Sequence, residues 1–179
     1  MSRSSALRGQ ILDSARRLFS AQGFRATSLQ DIASDVGCSK ASLLYHFPNK
    51  EAILLELVTP ARDHLNAILA ELAPLEGERL VRAAVTGFVD LALRFRREIG
   101  ILMRDVAGTA RNPSVNLSLD VRLLDALAGR SADPYDRVAA RMVLGGIVLS
   151  ASRDDLPVSD EDLRQGLLRG ALRTLGYPD

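Results

Sequence analysis

Between Thr27 and Lys50 the chain signals the start of a helix three times and the end of one twice, all within 24 residues. Ser28 followed by Asp31 is an N-cap with an acid three residues on, and Leu29, Ile32, Ala33 and Val36 give the next helix a narrow apolar stripe. Gly37 ends that helix, because a residue without Cβ enters the left-handed conformation cheaply. Ser39 caps a second helix at once, so the turn between them is about three or four residues long. Pro48 stops the second helix and Asn49 caps a third, with Lys50 at its N-terminus. Two helices joined this tightly cross steeply, and that constraint is a helix-turn-helix.

The second helix has two distinct faces. At about 100° per residue, Leu43 and Phe47 fall together and form the buried pair. Ala41, Ser42 and Tyr45 lie opposite, with Lys40 on one flank and His46 on the other. A small, polar, aromatic and basic set of this kind suits a major groove, where the first residues of a recognition helix meet base edges. A merely solvated helix favours Glu, Lys and Gln. The backbone amides at the start of the third helix, with Lys50, offer a place for a phosphate. Double-stranded DNA is the expected partner.

The run from Thr27 to Lys50, preceded by an amphipathic helix ending Phe-Ser-Ala-Gln-Gly-Phe at Phe19 to Phe24, resembles the N-terminal signature of TetR-type (tetracycline-repressor-like) transcriptional regulators. The resemblance covers residues 6 to 55, under a third of the chain. It implies that Ser28, Ser39, Lys40, Ser42, Tyr45, His46 and Lys50 stand where the family meets DNA, and the helix face adds Ala41. It also implies dimerisation through the last two helices and an effector pocket in the middle of the chain. One position departs: the family often places a phosphate-bonding tyrosine where this chain has Leu44, which leaves Tyr45 to take over the contact.

Charge agrees with this placement. The chain of 179 residues carries a net +1, but residues 1–50 hold seven Lys or Arg against three acids, net +4, and the remainder holds sixteen against nineteen, net −3. The positive end carries the motif, as steering toward phosphate requires. Arg3 and Arg8, at the start of the first helix, either reach DNA or belong to a frayed, solvated terminus. A hydrophobic content of 47% supports a core, and no stretch is long and apolar enough to span a membrane. Met1-Ser-Arg-Ser-Ser is not followed by an apolar secretory region, so a cytoplasmic location is expected. Cys38, the single cysteine, excludes an internal disulfide or a thiolate metal cluster and reads as a small turn filler. The two histidines, His46 and His64, lie on different helices, and no catalytic triad order, phosphate loop or metal motif accompanies them. No enzymatic activity, cofactor or metal is expected.

Beyond the motif the chain reads as helix throughout, with breaks at Ala73-Pro74, Asn112-Pro113, Gly129 to Pro134 and Leu156-Pro157. Helices are expected near 50–72, 76–97, 99–110, 115–128, 133–152 and 159–175, about nine in all with the first three. The fold class is therefore all-α: an N-terminal three-helix DNA-binding domain over 1–50, then a helical dimerisation and effector-binding domain over 51–179. The helix beginning at Lys50 borders both and offers a rigid element that transmits motion. From Val138 to Ala151 nearly every residue is apolar or small, so that helix lacks a broad polar face and needs cover on two sides. Ala139, Val143, Gly146 and Ile147, with Leu163, Leu167, Gly170 and Ala171 on the last helix, form the expected homodimer interface. A monomer that uses glycine for internal packing is the alternative. His64, Phe88, Leu91, Phe95, Leu102, Met103 and Val106 are the candidate lining of a pocket for a largely apolar small molecule, with Arg104 and Asp105 as polar anchors. On spacing alone such a stripe is ordinary core. The expected function is a homodimeric repressor released from a pseudo-palindromic operator by that ligand. The alternatives are a regulator controlled by a protein partner or by no effector, and a helical binding protein or enzyme that merely retains the motif.

Overall fold

The computed structural model describes residues 3–104, 121–152 and 157–178, and all regular structure among them is helical. In chain order the helices are α1 (Arg3–Gln22), α2 (Leu29–Val36), α3 (Lys40–His46), α4 (Lys50–Leu72), α5 (Gly77–Arg94), α6 (Arg96–Arg104), α7 (Val121–Leu127), α8 (Pro134–Ala151) and α9 (Asp160–Thr174). None of the described helices is long and apolar enough to cross a membrane. The described residues group into two compact units, one drawn from Met1–Pro60 and Gly100–Asn116, the other from Ala61–Ile99 and Leu117–Asp179. The division on α4 falls beside Pro60, the one residue of that helix with no N–H to donate.

In the first unit, α1 turns Ile11, Ala15 and Phe19 inward at helical spacing, each fully buried. They meet a core that includes Ile32 and Ala33 of α2, Leu43 and Phe47 at α3, and Ile53, Leu54, Leu57 and Val58 of α4. Phe24, just past α1, sets its ring edge-on to Phe19 at 5.1 Å between centroids. Eight of the buried side chains are Ile, Leu or Phe, and burying them supplies most of what holds α2 and α3, which are individually marginal in water.

In the second unit α5 is central and packs against α7, α8 and α9. Leu80, Val81, Ala84, Val85, Phe88, Val89, Leu91 and Ala92 of α5 are all buried. Gly87 lets α5 approach α4 closely, since a Cβ there would stand 2.9 Å from Ile68 Cγ2. The end of α4 is closed from a distance. Arg130, in the left-handed region at φ 58° after Gly129, donates to the carbonyls of Leu72 (3.3 Å), Ala73 (3.0 Å) and Leu75 (2.8 Å). Carbonyls left over at a helix end are thereby satisfied.

The terminal helices begin where the capping chemistry places them. Asp133 Oδ1 accepts the Tyr135 amide at 2.8 Å with Pro134 in the first turn of α8, and Ser159 Oγ accepts the Asp162 amide at 3.1 Å at the start of α9. One expectation changes. The helix anticipated over 76–97 breaks at Phe95, where φ is −112° and ψ is 31°, and α6 starts at Arg96. The corner is held by Arg96, whose Nε donates to the Leu93 carbonyl (3.2 Å) and whose Nη2 pairs with Asp160 (2.8 Å). That partner lies 64 residues away in the sequence. The parts of the expected helices 99–110 and 115–128 that fall between Arg104 and Val121 lie outside the described residues.

Candidate nucleic-acid interface

The turn between α2 and α3 is built by its caps. Ser28 Oγ accepts the Asp31 amide (3.1 Å) and the Ser28 amide donates to Asp31 Oδ2 (2.7 Å), a reciprocal capping box. Gly37 ends α2 at φ 75°, ψ 30°, and the Cys38 amide returns to the Ala33 carbonyl at 2.9 Å. Ser39 Oγ then accepts the Ser42 amide at 3.0 Å and opens α3. The Ser28 amide, followed by the Ser28 hydroxyl, holds the Asp31 carboxyl below the usual carboxylate range against a smaller opposing effect of burial, and the Lys50 charge adds a lesser pull in the same direction. A lowered folded pKa stabilises the fold above the unfolded value of about 3.9 and is lost as pH falls through the folded one. The thermal-midpoint advantage of the wild type over Asp31→Asn is therefore expected at neutral pH and closes progressively below about pH 4.

On α3 the burial follows the helical repeat. Leu43 is 0% and Phe47 2% exposed, whereas Tyr45 is 84% exposed. Lys40, Ala41 and Leu44 are also exposed, and Ser42 and His46 are half-buried. Tyr45 and His46 stand edge to face at 5.4 Å. Six of the eight residues singled out for DNA, Ser39 to Ser42 with Tyr45 and His46, are thus gathered on one short helix and its cap. Ser28 caps the neighbouring helix. Leu44 is 41% exposed and packs only in part, so the chain keeps a large apolar side chain at this surface.

Lys50 and Arg8 are both engaged within the unit. Lys50 Nζ donates to the carbonyls of Phe24 and Thr27, the latter at 2.7 Å, and lies 4.4 Å from the centroid of the Phe24 ring. Arg8 donates from Nε to Glu56 Oε1 (3.1 Å) and from Nη1 to the His46 carbonyl (3.2 Å), pairs through Nη2 with Glu56 Oε2, and covers the Phe47 ring at 4.5 Å. Glu56 had no signal in the sequence, because its partner is 48 residues away.

In the second unit, α8 is apolar on two opposite faces. Ala140, Val143, Leu144, Ile147, Val148 and Ala151 face the core. Tyr135, Val138, Met142 and Leu149 lie on the other side, 83%, 52%, 65% and 60% exposed. Helical spacing could have found this second stripe. A groove of about 280 Å³ runs between α8 and α9, lined by Val143, Gly146, Ile147, Leu167, Gly170 and Ala171 together with Met142, Ser150, Gly166 and Thr174. The first six belong to the expected dimer surface; Ala139 and Leu163 are half-buried. A Cβ at Gly145, Gly146, Gly166 or Gly170 would meet nothing within 4 Å, so these glycines do not serve the chain's own packing. Arg164 ties α9 to α5 by gripping Asp90 at 2.6 and 3.2 Å.

The candidate effector residues are distributed more widely. His64 and Phe95, both half-buried, meet at 5.9 Å between ring centroids. Phe88 and Leu91 are buried in the core of the same unit, each 2% exposed. Leu102, also buried, is grouped with the first unit. The Met103 side chain and Val106, like Asp105 and the Arg104 side chain, lie outside the described residues.

Comparison with known proteins places the helix-turn-helix first. Residues 11–57 match the family described as "Bacterial regulatory proteins, tetR family". The chain is 43% identical over 63 residues to the biofilm operon icaADBC HTH-type negative transcriptional regulator IcaR of Staphylococcus aureus (strain Newman), which covers 35% of this chain and 34% of IcaR. It is 36% identical over 94 residues to the HTH-type transcriptional regulator RutR of Escherichia coli (strain K12), covering 52% of this chain and 43% of RutR. The aligned portion thus spans about a third to under half of these curated relatives' length. Among solved structures, SCO3833, a member of the TetR transcriptional regulator family from Streptomyces coelicolor A3, superimposes with a TM-score of 0.71 at 26% identity, over 94% of this chain and 90% of that one.

Proposed function

We propose that the chain, whose residues 11–57 match the tetR family of bacterial regulatory proteins, is a sequence-specific DNA-binding transcriptional regulator of that family. The observation that carries this reading is α3, a capped helix that buries Leu43 and Phe47 and holds Tyr45 almost fully exposed. In the proposed complex α3 lies in the major groove, Lys40, Ala41 and Ser42 meet base edges, and Tyr45 and His46 reach the sugar-phosphate backbone. Ser39, whose hydroxyl oxygen caps α3, retains an O–H group to donate to phosphate, and Ser28 stands at the start of α2.

We infer further that the protein acts as a homodimer, with α8 and α9 of two copies apposed. The exposed apolar face of α8 and the open glycines beside it support this reading. Two copies would then present their α3 helices to half-sites about 34 to 36 Å apart, or a multiple of that. The negative regulation in the name of IcaR supports repression. Release by a small, largely apolar ligand is the regulation we propose, with the half-buried pair His64 and Phe95 as its candidate polar and aromatic contacts. Such a ligand acts by favouring a dimer geometry that no longer matches the groove spacing.

Selection from random duplex DNA with the purified protein tests the central claim. A pseudo-palindromic consensus is expected, and recovery of no consensus would remove the DNA-reading function. Thermal shifts with a library of apolar compounds test the effector: a concentration-dependent rise in midpoint supports it, and none with any compound points to control by a protein partner or by no effector.

A further inference from the structure

We propose that Lys50 and Arg8 are positioning residues for DNA recognition, holding the two ends of the helix-turn-helix through backbone carbonyls instead of neutralising phosphates. The inference rests on the DNA-reading function proposed above.

At the entry to α2, Lys50 Nζ converges on the Phe24 and Thr27 carbonyls, with that of Arg25 farther off at 3.4 Å. An ammonium has three N–H bonds, and these acceptors use them. The segment they fix is the one that leads into Ser28, and the Thr27 hydroxyl ties it again by donating to the Gly23 carbonyl at 2.8 Å. Residue choice agrees: just two of the chain's 23 basic residues are lysine, Lys40 and Lys50. A chain that otherwise writes its cations as arginine uses a compact ammonium where acceptors converge on one point.

At the exit from α3, the His46 carbonyl is among the last of its helix and has no partner within it. Arg8 supplies one from Nη1 at 3.2 Å, while Glu56 fixes the other edge of the guanidinium and Phe47 lies beneath it at 4.5 Å. A phosphate approaching Arg8 meets a charge already matched by Glu56. Lys50 is the first residue of α4 and Glu56 lies less than two turns further on, so one helix grips the reading unit at both ends.

The full-length wild type, Lys50→Met, Arg8→Met and Glu56→Gln are compared on a duplex recovered by selection, across about 50 to 200 mM salt. Amide hydrogen exchange is measured on the free proteins alongside. The expected result is affinity about tenfold weaker in each variant with the wild-type salt slope. Exchange then quickens from Phe24 to Asp31 in Lys50→Met, and at His46 and Phe47 in Arg8→Met and Glu56→Gln. A salt slope reduced by about 0.9 for each cation removed would overturn the proposal, because that is the signature of a lost phosphate contact. Tighter binding by Glu56→Gln would overturn it too, since freeing Arg8 for phosphate must strengthen binding whereas breaking a clasp must weaken it. Glu56→Gln keeps both cations and serves as the decisive variant where Lys50→Met does not fold. Should the wild type select no sequence, the DNA reading falls and the exchange pattern alone decides the clasp.

Discussion

A Gly146→Arg protein is expected to sediment as a monomer where the wild type sediments as the proposed dimer, and to bind the selected operator about a hundredfold more weakly. Its own fold should not suffer. A Cβ at Gly146 meets nothing within 4 Å, so the larger side chain has open space in the single chain. Glycine in a helix interior costs about 0.8 to 1 kcal/mol relative to alanine, so replacing it stabilises α8 taken by itself. Gly87 is the opposite case, because Ile68 leaves no room for its missing Cβ and the glycine serves internal packing. A long cation at Gly146, between Val143 and Ile147 on the groove wall, disturbs an apposed backbone and little else. The loss of affinity follows from separating two half-site contacts that a dimer makes as one event. Sedimentation and gel-shift titration read the two effects, while thermal unfolding at low concentration confirms the fold. A variant that stays dimeric with undiminished affinity would remove α8 and α9 as the interface.

Leu43→Ala is expected to cost about 2 to 5 kcal/mol and to abolish operator binding, whereas Leu44→Ala changes stability by no more than about 0.5 kcal/mol. The two residues are identical in type and adjacent in sequence. Leu43 is 0% exposed and is the one buried side chain within α3, so truncating it leaves a cavity where α3 meets the α1 and α2 core. Leu44 is 41% exposed and loses mainly solvent-facing surface. A seven-residue helix cannot persist without its packing, so α3 undocks when that contact goes. Urea unfolding monitored by circular dichroism gives both values. Comparable losses for the two variants would mean that α3 does not sit as described. Leu44→Ala is also a probe of readout, since an apolar side chain at a groove can touch a thymine methyl, and its effect appears as altered preference at one base pair.

These contrasts show what the sequence made legible and why the remainder was not. Ser28, Gly37 and Ser39 act on amides and carbonyls within five residues of themselves, so the helix-turn-helix could be read without knowing the fold. The two apolar faces of α8 could be read too, because burial on both sides leaves its mark in every turn. The break at Phe95 could not. Arg96 at that corner reaches Asp160, and no local spacing encodes that partner. Lys50 and Arg8 illustrate the same limit at the candidate site. The sequence pointed Lys50 toward phosphate and left Arg8 between DNA and a solvated terminus, and the acceptors within the chain that both meet are set by how α1, α3 and α4 come together. Arg130 is similar, closing α4 from 55 or more residues away.

The small share of α3 committed to the fold bears on descent. Within Lys40–His46, Leu43 is the one residue that the core claims, and the start of the helix is fixed by Ser39 outside it. Among the described residues, none forms a hydrogen bond to the side chains of Lys40, Ala41, Leu44 or Tyr45. Mutations at those positions are therefore close to neutral for folding, and selection on target sequence can act on them without first restoring stability. In the proposed DNA-reading role, two copies of such a protein can diverge after gene duplication to separate operators by changing a few outward residues while inheriting the same scaffold.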